Sequence, residues 1–251
     1  MSGHSKWATI KHKKAAADAK RGQAFTKMIR EITTVARAGG GSIETNAALR
    51  TAIERARMIN MPQVNVENAI KKGTGELPGI VYEENSFDAY GPAGVAMYIT
   101  TLTDNKNRTT AELRNILSKK NGSMATPGST SFLFTKKGFI TVEKAKASED
   151  QIMEIALDAG AEDVVSEGEL HEITTAISDL PKVKTAIESK GIIVSSAEMT
   201  MIPSTYIQVD GANARQVLAL MEALEEQEDV QNVYANFDIS DEEMAKIAAE
   251  S

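Results

Sequence analysis

Six cations and a single acid stand between His4 and Arg21: Lys6, Lys11, Lys13, Lys14, Lys20 and Arg21 against Asp18. The chain's only tryptophan, Trp7, and a histidine, His12, lie among them. Ammonium and guanidinium groups at this density neutralise phosphates and release counterions, and an interleaved indole stacks on a base or a sugar. The chemistry is that of a polyanion-binding segment. Trp7 can also anchor the segment on a hydrophobic core, and the two roles are compatible.

The basic character continues into the next element. From Phe25 the apolar positions Phe25, Met28, Ile29, Ile32, Val35 and Ala36 recur at helical spacing until Gly39-Gly40-Gly41 stops them. At about 100° per residue, Lys27, Arg30 and Arg37 cluster roughly opposite the Phe25–Ile32–Val35 stripe, with Thr34 between them and Glu31 off to one side. Burying the stripe is therefore expected to leave Lys27 and Arg30 in solvent, facing a ligand. A second anion-binding candidate is the loop Thr103-Asp104-Asn105-Lys106-Asn107-Arg108. It precedes a helix expected to open at Thr109, so Lys106 and Arg108 sit where free backbone N–H groups and the helix dipole favour a phosphate. The other reading has Asp and Asn making turn bonds while Lys106 and Arg108 point to water.

Catalytic chemistry finds little material. None of the three histidines, His4, His12 and His171, stands beside a nucleophile motif. A spacing of eight residues between His4 and His12, without cysteine, matches no standard metal-ligand pattern. Gly73-Thr74-Gly75 follows Lys71-Lys72 but forms no nucleotide fingerprint. Glu225-Glu226 reads as solvated helix surface. No catalytic residue, metal site, cofactor or small-molecule substrate is expected.

Charge distribution agrees with the first motif. Residues 1–80 carry 14 Lys+Arg against 6 Asp+Glu, a balance of +8, whereas residues 81–251 carry 14 against 29, a balance of −15. A basic module that meets a polyanion is thus joined to an acidic remainder. With 251 residues, 42% hydrophobic and 25% charged, the chain has the composition of a folded globular protein of two or three domains. It has no cysteine, which removes disulfides, thiolate metal sites and Cys nucleophiles together. Neither a membrane-length apolar run nor a secretory signal is visible, so a cytoplasmic protein with no membrane partner is expected.

The elements that must position these residues are helices first and a mixture later. Further helices are expected at about 44–60, with Leu49, Ile53, Ala56 and Ile59 on one face, and around Val66, Ala69 and Ile70, ended by Lys72-Gly73. From Val95 the pattern alternates. Strands are expected at 95–102, 131–134, 139–142, 163–166, 170–176, 195–201, 206–209 and 230–238. Helices are expected at 109–120 (opened by a Thr109–Glu112 capping box), 149–159, 182–190 and 212–227. Residues 136–203 then read β-α-β-β-α-β, the order of a ferredoxin-like domain, and the flanking pieces read as a second such unit. The expected fold class is α+β, a helical bundle followed by two ferredoxin-like domains, one inserted into the other. The corresponding domains are 1–80, 81–135 plus 204–240, and 136–203, with 241–251 an acidic tail. A single larger α+β sheet is the alternative.

Three segments carry a resemblance: GHSKWATIKHKKAAADAKRGQAFTKMIREI, MPQVNVENAIKKGTGE and YGPAGVAMYITTLTDNKNRTTAELRN resemble the signature stretches of the YebC/PmpR family, which includes the mitochondrial translational activators of cytochrome c oxidase. The likeness spans nearly the whole chain and is strongest from Ser2 to Gly138. It implies a helical domain followed by two nested ferredoxin-like domains, and a non-enzymatic regulator of gene expression. Family members are described as DNA-binding transcriptional regulators, others as RNA-binding translation factors that associate with the ribosome and relieve stalling. The implied partner is promoter DNA or ribosomal RNA, with the ribosome as a further partner in the second case. The implied contacts are the basic positions from Lys6 to Arg21 and the TDNKNRT loop. A sensor or enzyme built on the ferredoxin-like parts is the contrasting class, supported by fold analogy alone.

Overall fold

Antiparallel pairing in both four-stranded sheets and separate buried apolar clusters organise the chain. The computed structural model describes residues 18–249. The helices are α1 (Asp18–Gly39), α2 (Ala47–Met58) and α3 (Gln63–Thr74), followed by strands β1 (Glu83–Tyr90) and β2 (Ala96–Thr103), helix α4 (Lys106–Lys119) and the short strand β3 (Ser123–Met124). Next come β4 (Phe134–Glu143), α5 (Glu149–Asp158), β5 (Ala161–Glu167), β6 (Leu170–Thr175), α6 (Leu180–Ser189) and β7 (Ser196–Pro203). The chain finishes with β8 (Ile207–Gln208), α7 (Gly211–Glu225), β9 (Val230–Ala235), β10 (Phe237–Asp238) and α8 (Asp241–Ala249). It divides into two units, one running to Thr130 and including Ala212–Val233, the other comprising Ser131–Gly211 and the chain from Tyr234.

In the first unit α1, α2 and α3 bury Ile32, Ala36, Leu49, Ala52, Ile53, Ala56, Val66 and Ala69 together, with Phe25 and Val35 packed at the margin. Asn46 joins two of these helices. Its Oδ1 accepts from the Leu49 N–H at 3.0 Å as the N-cap of α2, and its Nδ2 donates to the Val35 and Gly40 carbonyls at 2.9 and 2.8 Å near the end of α1. Gly40, at φ 83°, supplies the left-handed turn that ends α1. The sheet of this unit has strand order β3-β1-β2-β9. Met97, Ile99, Leu113, Leu117 and Leu220 are completely buried.

The second unit carries the ferredoxin-like pattern in full. Its sheet runs β5-β6-β4-β7 with β4 antiparallel to both β6 and β7, and β5 antiparallel to β6. Ile140, Val142, Ile152, Ile173, Val183 and Ile187 form its core. His171 is buried there: Nε2 donates to the Ala147 carbonyl at 3.0 Å, and Nδ1 and the Ser166 hydroxyl share a hydrogen bond of 2.7 Å.

The fold class is as expected, but several elements differ. Strand β1 is absent from the sequence reading, because EENSFDAY neither alternates nor carries the β-branched residues that mark a strand. It forms an antiparallel hairpin with β2, and its buried Asp88 accepts from the Gly128 and Thr130 N–H groups at 3.0 and 2.9 Å. Of the strand expected at 131–134, Ser131–Leu133 forms a 3-10 turn and only Phe134 is extended, opening β4, which runs on through the strand expected at 139–142. Lys136-Lys137-Gly138 looks like a turn. Gly138 is instead an in-strand residue where a side chain would meet Thr175 Oγ1 at 2.3 Å and Leu180 Cβ at 2.8 Å. The strand at Ile207–Gln208 pairs in parallel with Phe237–Asp238 and takes no part in the β1–β2 sheet. Helix α4 begins at Lys106 under an Asn105 cap, so Thr109 lies inside the helix. Residues Asp241–Ala249 are helical.

Gly73 provides a test of packing against propensity. The expected stop at Lys72-Gly73 is a helical residue of α3, and a Cβ there would lie 2.5 Å from the Thr33 carbonyl oxygen and 2.7 Å from Ala36 Cβ. Helix propensity favours alanine over glycine by about 1 kcal/mol. The clash is with backbone, which cannot rotate away, so Gly73→Ala is expected to destabilise by about 1–3 kcal/mol despite the propensity gain. Urea denaturation checks this, and a stabilised variant would show that α1 and α3 are not in close contact.

Candidate nucleic-acid interface

Gln23, Lys27 and Arg30 follow one another at i, i+4 and i+7 on α1 and form one stripe. The structure sets this stripe against the turn between α7 and β9. Lys27 Nζ donates to the Glu225 carbonyl, and Arg30 Nη1 donates to the Glu228 carbonyl. The Glu225 acceptor closes α7, whose final carbonyls lack intrahelical partners and carry the negative end of the helix dipole. Lys27 is half-buried, and Arg30 is only 8% exposed. The expectation that Arg30 stands in solvent is therefore corrected. Helical periodicity identified the apolar face properly, but the opposite face is also covered at Lys27 and Arg30, whereas Arg37 is exposed as expected.

Asp229 is the centre of this contact. Its carboxylate accepts from Arg30 Nη1 at 2.6 Å, Thr109 Oγ1 at 2.7 Å, Arg108 Nη2 at 3.1 Å and Thr103 Oγ1 at 3.2 Å. Its side chain is 2% exposed. Gln227 builds the turn that delivers it: the Gln227 Oε1 accepts from the Asp229 and Val230 N–H groups at 2.7 and 2.9 Å, and its Nε2 donates to Glu112 at 2.7 Å. The Asp229 carbonyl accepts from the Leu102 N–H at 2.8 Å, fixing the turn to β2. Tyr82 lies beneath Arg30, with the guanidinium carbon 5.5 Å from the ring centroid.

Electrostatics follow from this geometry. Burial by itself pushes the Asp229 carboxyl up, but the Thr109 hydroxyl, the Arg108 hydrogen bond and the charges of Arg30 and Arg108 outweigh it and hold the group below its ordinary value. Arg108 is held more firmly protonated by Asp229, and secondarily by Asp104 at 2.8 Å. Arg108 keeps 43% of its side chain exposed, whereas Arg30 keeps 10%. An open cleft of about 580 Å³ adjoins the cluster, lined by Gln23, Arg30, Tyr82, Arg108, Glu112 and the turn 226–229, among others.

The other sequence candidates fall as follows. Lys6, Trp7, Lys11, His12, Lys13 and Lys14 lie outside the described residues. Lys20 and Arg21 are in the first turns of α1, and Arg21 is exposed. Lys106 is exposed in the first turn of α4. Arg108 does not point to open water as one reading had it, since Asp104 and Asp229 both engage it. The sequence reading missed Asp229, Gln227 and Tyr82, and took Thr103 and Thr109 for loop and helix-opening residues without the carboxylate they serve. Among the described residues no group of three or more His, Asp or Glu side chains is gathered for a metal ion. No helix among them is long and apolar enough to cross a membrane.

Two family models cover this chain: the TACO1/YebC N-terminal domain over residues 5–76 and the TACO1/YebC second and third domain over residues 82–237. The chain belongs to the TACO1/YebC family. A probable transcriptional regulatory protein of Acidithiobacillus ferrooxidans is 56% identical over 251 residues, covering the whole of both chains. A probable transcriptional regulatory protein of Desulforapulum autotrophicum is 53% identical, covering 96% of this chain and 98% of its own. The crystal structure of a conserved hypothetical protein, Aq1575 of Aquifex aeolicus, superposes with a TM-score of 0.83 at 45% identity, covering 94% of this chain and 98% of that one. This TACO1/YebC protein thus shares its fold with the Aquifex chain and its family with relatives named probable transcriptional regulatory proteins.

The cluster predicts a graded response to charge removal. Asp229→Asn leaves Arg30 buried without its countercharge and is expected to cost about 3 kcal/mol at pH 7. Asp104→Asn, which breaks an exposed pair, should cost under about 1 kcal/mol. Because the Asp229 pKa is lowered in the folded state, its contribution is complete above the ordinary aspartate value of about 3.9 and is lost as pH falls through the depressed value. The stability gap between wild type and Asp229→Asn should accordingly narrow below about pH 4. Urea titrations at pH 7 and pH 3 measure both effects, and equal stability of the two proteins at pH 7 would contradict the assignment.

Proposed function

We propose that this protein is a DNA-binding transcriptional regulator that acts in the cytoplasm and grips the phosphate backbone through its basic N-terminal segment. Lys6, Lys11, Lys13, Lys14, Lys20 and Arg21 are the phosphate contacts, with Trp7 and His12 interleaved among them and Lys106 an accessory cation on α4. The observation that carries the reading is charge segregation: six cations against one acid from His4 to Arg21, in a chain whose remainder from residue 81 has a balance of −15. The regulatory names of its full-length relatives support it. In this reading residues 1–80 are the binding module. The ferredoxin-like parts, 81–135 with 204–240 and the inserted 136–203, set orientation and repel phosphate from the rest of the surface. The role needs no catalytic group, cofactor or small-molecule substrate.

Phosphate contacts position a protein on nucleic acid without reading sequence. Changing Lys11, Lys13, Lys14, Lys20 and Arg21 together to Ala should therefore weaken binding about equally for every duplex tested. With about 0.9 unit of salt slope per contact on B-DNA, loss of three to five contacts should flatten log K against log salt by roughly 2–4 units. Folding should survive, because Ile32, Leu49 and Ile53 and their partners in the helical core are untouched. An intact variant with unchanged affinity and slope would refute the proposal. Retained duplex binding with loss of ribosome co-sedimentation, or wild-type binding to structured RNA alone, would replace it with the translation-factor reading.

A further inference from the structure

The stripe Gln23–Lys27–Arg30 lies on the same helix that carries Lys20 and Arg21, yet it faces an acidic turn, Glu225-Glu226-Gln227-Glu228-Asp229. Lys20, three residues before Gln23, continues this face by helical spacing, and Lys27 and Arg30 stand about 10 and 15 Å along the axis from that position, at 1.5 Å per residue. Each strand of duplex DNA carries one negative charge per about 3.4 Å of the axis, so a backbone seated at Lys20 and running along this face of α1 presents phosphates over Lys27 and Arg30. We propose that the 225–229 turn is an internal competitor for the nucleic acid, holding Lys27 and Arg30 until a phosphate backbone displaces it. The inference rests on the function proposed above and names how the same site is regulated.

Three observations support the competition. The groups that hold this stripe include main-chain carbonyls, those of Glu225 for Lys27 and Glu228 for Arg30. A phosphate oxygen is a charged and therefore stronger acceptor for the same donors. Arg30 Nε is buried with no hydrogen-bond partner, although a guanidinium meets a phosphate bidentately when Nε and a terminal nitrogen are both presented. Finally, Asp229 is not orphaned when Arg30 leaves. Arg108, Thr109 and Thr103 remain on its carboxylate at 3.1, 2.7 and 3.2 Å, so the sheet side of the contact stays satisfied. A buried pair in which each partner had only the other would lack this property.

The test uses the full chain and a duplex oligonucleotide, with Kd measured across a salt series. The protein has no cysteine, so Gln23→Cys combined with Glu226→Cys, two residues lining the same cleft, can be bridged by a short bis-maleimide. Bridging holds α1 against the turn and is expected to flatten the salt slope by about 2 units relative to the same unbridged variant, the share of Lys27 and Arg30. In the opposite direction, Glu226→Gln with Glu228→Gln neutralises two exposed acids of the turn without touching the core. It should tighten binding several-fold more than Glu83→Gln with Glu84→Gln, an exposed charge-matched pair on β1. Bridged and unbridged proteins with one slope, or equal gains from the two acid pairs, would overturn the competition while leaving the proposed function standing. Absence of salt-dependent duplex binding by the wild type would instead remove that function and the competition with it.

Discussion

A carboxylate withdrawn from water must be surrounded by donors, and Asp229 satisfies this requirement with four residues drawn from three separate elements. Arg30 comes from α1, Thr103 from β2, and Thr109 and Arg108 from α4. The separations along the chain reach 199 residues. Each of these elements has its own apolar face, and apolar burial is non-directional, so hydrophobic packing alone would leave the azimuth of α1 on the sheet loosely defined. A planar guanidinium aimed at one buried carboxylate defines it. The turn that presents the carboxylate is fixed in its own right, by Gln227 from within and by the Leu102 N–H on β2. The turn around Asp229 therefore has supports of its own besides Arg30.

This arrangement changes the meaning of the charge segregation. A chain with +8 in its first 80 residues and −15 beyond them would ordinarily be read as two surfaces that act independently. Here part of the basic surface is matched inside the first unit, through Lys27 and Arg30, to the acidic run that ends α7. Glu225 contributes its carbonyl rather than its carboxylate, which is why a pair of adjacent glutamates that looks like solvated surface helps to seat a basic helix. The densest run of cations in the sequence, from Lys6 to Arg21, lies before this matched stripe and at the start of α1.

Much of the fold was legible because its signals are local. The apolar spacing of Ile32 and Ala36, and of Leu49, Ile53 and Ala56, gave α1 and α2 and their buried faces. The β-α-β-β-α-β order between 134 and 203 gave the second sheet. What escaped was set by tertiary neighbours. β1 has a polar strand sequence because Asp88 must be polar to hold the loop at 128–130, and Gly138 breaks an apparent strand because α6 approaches it closely. The site was legible as a set of cations but not as an arrangement. Helical periodicity states which residues share a face, and says nothing about what a segment nearly 200 residues away brings to that face. The acidic turn was visible in the sequence, yet no spacing rule pairs it with Lys27 and Arg30.

Magnitudes indicate which polar contacts matter. Lys137–Glu162 and Lys184–Glu188 in the second unit leave roughly a quarter to a half of each side chain in solvent, and such pairs contribute about 0–1 kcal/mol. The Arg30–Asp229 pair has side-chain exposures of 10% and 2%, so loss of either partner leaves a charge in a poorly solvated site. Salt discriminates between the two regimes. At physiological ionic strength the Debye length is about 8 Å, which screens exposed cations and their phosphates but acts weakly on a carboxylate enclosed by hydroxyls and guanidinium groups. Moderate salt should thus weaken phosphate contacts well before it loosens the Asp229 cluster. The salt dependence of binding consequently reports counterions released at the basic surface, while the Asp229 carboxylate stays enclosed by Thr103, Thr109 and Arg108.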